Sequence, residues 1–180
     1  MKKSLFIFFI TLTAFSFQNL NAQSFPNRDA SPMDLAIARP SKNAPPLARV
    51  IYSRPEKNGR DIFGGLVPYN EVWRTGANEA TELTTYEPLM FGKTLLQPGS
   101  YTLYTIPNTD SWTIIINSET NAWGAFNYQK EKDVARIEVP CVQAVAPIET
   151  LSMIFKTDNK GTTLLIGWDD HYVEIPFKRI

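Results

Sequence analysis

The stretch Leu151–Phe177 reads LSMIFKTDNKGTTLLIGWDDHYVEIPF, and its spacing decides the fold class. Successive side chains of an extended chain point to opposite faces, so Leu151, Met153 and Phe155 share one face. Asp158-Asn159-Lys160-Gly161 carries the residues of a tight turn. Beyond it Leu164, Ile166 and Trp168 answer from the next strand. Asp169-Asp170 predicts a second turn, into Val173, Ile175 and Phe177. The pattern predicts a three-stranded antiparallel meander with one face buried.

The same grammar extends towards the N-terminus. Asp133–Val139 alternates, with Ala135, Ile137 and Val139 opposite Arg136 and Glu138. Trp112–Asn117 and Ser100–Ile106 are apolar runs joined by the turn residues of Pro107–Asp110, and Pro98-Gly99 precedes them. Lys93–Leu96 and Leu89–Phe91 flank Gly92, and Thr81–Tyr86 and Arg49–Ser53 complete the set. No window after residue 22 holds a 3.6-residue period over three turns. The expectation is an all-β domain, an antiparallel β-sandwich of about eight or nine short strands, with barrel-like closure the less favoured alternative.

Residues 1–22 read as a cleavable signal peptide. Lys2 and Lys3 precede the apolar run Leu5–Phe15, and Leu20-Asn21-Ala22 offers a small residue for cleavage before Gln23. The run is about eleven residues, short of the roughly 20 a spanning helix needs. The expectation is therefore a periplasmic or extracellular protein with no transmembrane segment in the mature chain. Residues 23–46, rich in Pro, Ser and Asn, read as a tether over the surface with a short extended piece at Asp34–Ala38. Residues 47–180 read as the single β-sandwich domain.

Loss of Lys2 and Lys3 leaves 16 basic against 18 acidic residues. That balance lacks the basic excess of a nucleic-acid partner. Cys141 is the only cysteine, so no internal disulfide exists, and with no base beside it in sequence it reads as a buried structural thiol. His171 is the only histidine. It follows two aspartates in a predicted turn, which points to no metal site. No nucleophile elbow, P-loop or dinucleotide fingerprint is present, so no cofactor is expected.

Chemistry gathers instead in Tyr52–Thr81, YSRPEKNGRDIFGGLVPYNEVWRTGANEAT. Arg54, Arg60 and Arg74 suit a carboxylate or phosphate group. Tyr69 and Trp73 offer apolar contact, and Asn78 and Glu79 offer hydrogen bonds to hydroxyls. Gly64-Gly65 and Gly76 allow tight bends. Each feature also has a purely structural reading: Arg74 and Glu79 as a buried ion pair, the aromatics as core.

Much of this segment carries a resemblance. Tyr52-Ser53-Arg54-Pro55, Gly59-Arg60, Ile62-Phe63-Gly64, Leu66-Val67-Pro68-Tyr69 and the long run Val72–Thr81 (VWRTGANEAT) are similar to the signature of exported bacterial domain-of-unknown-function family 2911. Pro98-Gly99-Ser100-Tyr101, Thr105-Ile106-Pro107, Trp112-Thr113 and Trp123-Gly124-Ala125-Phe126 extend the likeness. The resemblance implies a secreted or periplasmic location and no particular activity. Three functions stay open. The first is a non-catalytic domain binding a small molecule or glycan at Tyr52–Thr81. The second is a hydrolase with Glu79 as general base and Arg74 polarising the substrate. The third is an envelope domain that binds another protein.

Overall fold

The computed structural model describes residues 23–180; the signal peptide read over residues 1–22 lies outside them. Nine strands follow in chain order: β1 (Met33–Ala38), β2 (Ala48–Ser53), β3 (Glu82–Thr85), β4 (Leu89–Phe91), β5 (Thr94–Leu96), β6 (Gly99–Pro107), β7 (Ser111–Asn117), β8 (Asp133–Asp158) and β9 (Gly161–Lys178). They form one antiparallel sheet in the order β1-β2-β3-β6-β7-β8-β9-β4-β5, not closed into a barrel. Among the described residues there is one 3-10 turn, Lys130–Lys132, and no α-helix. No helix among them is long and apolar enough to cross a membrane.

Two strands are far longer than their sequence patterns suggest. β8 has 26 residues and β9 has 18. Asp158 closes the hairpin between them, its carboxylate accepting the backbone N–H of Lys160 and of Gly161. Gly161 stands at φ 152°, where an added Cβ would fall 2.1 Å from the Phe177 carbonyl oxygen. The second predicted turn does not exist. Asp169-Asp170-His171 lies inside β9, which runs on to Lys178. Asp169 takes φ 56° and forms an ion pair with Lys57, so the chain kinks there without reversing. β8 bends opposite it, its register on β9 shifting between Gln143 and Ile148 and again between Ile148 and Ser152. Extra residues of this kind curl a sheet.

The bends let one sheet serve as two layers. Asp133–Pro140 of β8 pairs with β7, and the longer remainder, from Cys141 to Asp158, pairs with β9. Val50, Leu83, Leu103 and Ile114 from one end of the sheet share a single core with Leu151, Ile166, Trp168 and Phe177 from the other. Each element supplies that core through alternation, as Leu164, Ile166 and Trp168 do at 0, 0 and 1% exposure. The stretch read as a tether supplies β1, an edge strand in register with β2 from Met33↔Ser53 to Ala38↔Ala48. After β2 the chain crosses to β8. Leu151 N–H donates to the Pro55 carbonyl (3.0 Å), and Lys57 N–H donates to that of Glu149 (2.7 Å).

Two long excursions leave the sheet, residues 54–81 and 118–132. The second is tied at its base. Asn117 donates to the Gln129 carbonyl at 3.0 Å and to the Asp133 carboxylate at 2.8 Å. The Tyr128 hydroxyl donates to the other oxygen of Asp133 at 2.7 Å, and Arg136 donates to the same oxygen at 2.6 Å. Burial, followed by the Asp133 carboxylate, pushes Tyr128 up to about 12 from 10.0. A raised folded-state pKa contributes stability in full below pH 10, and that stability is lost as the pH rises through about 12. Urea unfolding across this range should show it: wild-type protein loses stability faster than Tyr128→Phe as the pH climbs. Parallel curves for the two proteins would mean that Tyr128 is not the coupled group.

Candidate functional site

Residues 54–81 form an ordered cover over one end of the core. Phe63 meets Trp112 edge-on at 4.9 Å between ring centroids, and Trp73 stacks on Trp168 at 6.0 Å with planes 17° apart. Ile62, Val67, Trp73 and Ala77 are all buried. The backbone of Trp73 exchanges two hydrogen bonds with Thr105 on β6, at 2.7 and 3.0 Å. Its indole N–H reaches the Gly76 carbonyl at 3.2 Å.

The turn after Trp73 is tight. Thr75 and Asn78 both sit at φ 58°, the left-handed region, where a β-branched residue such as threonine is strained. Thr75 is fully buried, and its hydroxyl lies 3.1 Å from that of Thr105. Thr81 closes the turn, its hydroxyl donating to the Thr75 carbonyl at 2.8 Å and its N–H to that of Arg74 at 3.0 Å. At Gly76 an added Cβ would meet the Ser53 carbonyl at 3.2 Å, so the chain passes close to β2 there.

With Trp73 and Thr75 turned inward, Arg74 faces outward where two grooves meet. One has a volume of about 350 Å³ and is lined by Arg60, Trp73, Arg74, Gly76 and Trp168 among others. The other is about 380 Å³ and mostly apolar, with Leu66, Val72 and Phe126 beside Glu71. Among the described residues the Arg74 guanidinium makes no ion pair and no hydrogen bond, and its Nε is shielded from solvent. Burial lowers its pKa, but an arginine keeps its proton in proteins. The charge is withdrawn from water only in part, at Nε, and that part has no partner among the described residues, which carries some cost.

The structure brings Arg60, Trp73 and Arg74 together and separates the other expected contacts. Arg54, read as a ligand contact, is engaged within the protein. It donates to the Leu151 carbonyl (3.1 Å), the Ser152 hydroxyl (3.0 Å) and the Asp34 carboxylate (2.9 Å), clasping β1 and β8. Arg60 donates from Nε to the Lys57 carbonyl at 2.9 Å and from Nη2 to the Glu56 carbonyl at 2.5 Å, and still lines the groove. Tyr69 lines neither groove; its ring covers Gly64, and burial, with Cys141, Asp170 and Asp169 nearby, raises its pKa. Asn78 donates to Asp29 at 3.2 Å. Glu79 is exposed and forms an isolated bridge with Trp123. The Arg74–Glu79 ion pair is not made, because the turn between them sends the two side chains to different surfaces.

Trp168 and Phe126 line these grooves without having been singled out as site residues. Trp168 was legible only as a core position of its strand. Phe126 carried a signal, a bulky aromatic beside a glycine in a polar loop, and it is 82% exposed. Cys141 is half-buried, and burial raises its pKa. His171 lies beside Asp170 and edge-on to Phe63 at 6.0 Å. Among the described residues no three His, Cys, Asp or Glu side chains converge.

The model of a family described as a protein of unknown function, DUF2911, matches residues 41–177. The chain belongs to the DUF2911 family. Neither the curated proteins nor the solved structures contain a match to it. The matched region of this DUF2911 chain takes in strands β2 to β8, nearly all of β9 and the whole 54–81 cover, and it leaves out β1.

Arg54 and Arg74 differ in what they touch, and their loss should differ accordingly. Arg54→Ala deletes three internal hydrogen bonds and should lower unfolding free energy by about 2 kcal/mol. Arg74→Ala deletes none and should stay within about 0.5 kcal/mol of wild type. Denaturant titration of both variants checks the pair. Equal losses would return Arg74 to a structural role.

Proposed function

We propose that this protein is an exported, non-catalytic binding domain that holds an anionic group of a small or oligomeric ligand between Arg74 and Arg60. The aromatic floor of Trp73 and Trp168 supplies the apolar contact. One observation carries the reading: a half-buried guanidinium without an acceptor, facing a groove that contains a second arginine. Guanidinium groups take carboxylates and phosphates through paired hydrogen bonds. The apolar groove on the other side of Arg74 offers room for the rest of the ligand. Export rests on the N-terminal Lys2–Ala22 pattern. The hydrolase reading has less support, since Glu79 is exposed and has no contact with Arg74.

A second reading, a protein-binding envelope domain, draws on the exposed apolar side chains beside the same groove. Leu66 is 48% exposed and Phe126 82%. Large apolar side chains grouped at a surface mark interaction sites.

A thermal-shift screen of residues 23–180 against carboxylated and phosphorylated metabolites and acidic sugars separates the two. A ligand present at about a hundred times its dissociation constant adds roughly 2.7 kcal/mol, which in a domain of this size raises the midpoint by about 5–10 °C. The shift should vanish in Arg74→Ala and persist in part in Arg74→Lys, which keeps charge but loses the paired geometry. A shift that survives Arg74→Ala places the anion elsewhere. No shift across the panel favours the protein-binding reading.

A further inference from the structure

A cavity of about 620 Å³ lies away from the Arg74 grooves, under the 118–132 excursion. That volume falls within the ~300–1,000 Å³ typical of small-ligand sites. Its floor includes Tyr104 from β6, which is 2% exposed overall. Among the described residues the Tyr104 hydroxyl has no hydrogen-bond partner, yet it is not sealed away; the side chain lines the cavity. Buried hydroxyls are normally paired. Its ring packs edge-on against Tyr128 at 5.2 Å, and Tyr128 is fixed in turn by Asp133 and Arg136.

The walls carry planar amides. Among the described residues the side chains of Asn127 and Gln129 find no hydrogen-bond partner, and that of Asn121 makes only a 3.4 Å contact with the Thr120 hydroxyl. At the rim stands Trp123, 62% exposed, its indole N–H without a partner among the described residues. Its backbone is nevertheless held. Ala80 N–H donates to the Ala122 carbonyl at 2.8 Å, Gly124 N–H donates to that of Asn78 at 3.1 Å, and Glu79 bridges Trp123 itself. The one charged lining residue, Glu119, is paired with Lys132. The cavity therefore offers an aromatic face, several amide and hydroxyl groups and no unpaired charge.

We infer that this cavity is a second binding site, separate from the Arg74 groove, and that it takes a neutral saccharide. A sugar ring has an apolar C–H face to lie on the Trp123 indole and a rim of hydroxyls. Those hydroxyls can both donate to and accept from the side chains of Asn121, Asn127 and Gln129 and the Tyr104 hydroxyl. The single charged lining side chain is an acid, Glu119, already paired with Lys132, so the lining offers an anionic ligand no cation. The site is pre-formed, since both ends of its loop are tied to the sheet, and a pre-formed site loses little freedom on binding.

Isothermal titration of residues 23–180 with neutral oligosaccharides of glucose, N-acetylglucosamine, mannose and galactose tests the inference, with tryptophan fluorescence followed in parallel. At least one sugar should bind and perturb the fluorescence. Trp123→Ala should weaken that binding about tenfold or more, and Tyr104→Phe should weaken it while leaving circular dichroism unchanged. Arg74→Ala should leave it intact, which keeps this result distinct from the fate of the anion site. Asn127→Ala serves as the wall variant if either aromatic substitution disturbs the fold. The inference is overturned if no neutral sugar binds, if binding survives Trp123→Ala and Tyr104→Phe in folded protein, or if it is lost in Arg74→Ala.

Discussion

Trp73 lies flat against Trp168, and the placement of the whole 54–81 cover follows from that contact. The cover contains no strand of its own, only isolated bridges. It therefore lacks the ladder of backbone hydrogen bonds that positions an ordinary sheet element. Apolar anchoring takes its place, with Phe63 and Trp73 inserted against Trp112 and Trp168. Burying large aromatic rings is among the strongest single contributions a side chain can make. Once Trp73 is fixed, alternation along the short run Trp73-Arg74-Thr75 fixes its neighbours. Thr75 goes inward to Thr105, and Arg74 must go outward.

The scaffold beneath that contact depends on the kinked pair β8 and β9. Trp168 precedes the kink at Asp169, and Trp112 on β7 sits opposite Val139 of β8. The bend thus brings tryptophans from two regions of one sheet to the same end of the core. A flat sheet would hold them apart. The residues interrupting the apolar pattern, Asp169 and Asp170, allow the bend, and Lys57 from the cover pairs with Asp169. Cover and kink hold each other in place.

That mutual dependence explains what the sequence discloses and what it hides. The strands were legible because period-two alternation is a local property, and Asp158–Gly161 was legible as a turn because its residues need only each other. Asp169-Asp170 looked the same locally and is a kink, because from Asp169 onward β9 continues along a partner 21 or more residues away in sequence, from Ile148 back to Cys141. The two arginines make the same point at the site. Arg54 and Arg74 are chemically identical, and both stand among polar neighbours in the sequence. Only the tertiary structure gives Arg54 the Leu151 carbonyl, Ser152 and Asp34, and gives Arg74 none. Composition located the segment; it had no means of separating its members.

The unpaired state of Arg74 has no structural purpose that another residue would not serve. Its backbone carbonyl accepts from Thr81, a role open to any amino acid. The stem of the side chain covers some of the groove wall, which an aliphatic chain does as well without bringing a charge. Partial desolvation of the guanidinium works against folding, and among the described residues no acceptor offsets it. Thr75, strained at positive φ beside it, adds a second local cost of the kind that gathers at functional sites. Both costs lie next to a groove with an aromatic floor and a second arginine. Nε of Arg49 is likewise shielded without a partner among the described residues, so the proposed anion site rests on the strain and the second arginine beside Arg74 as well as on its unpaired state.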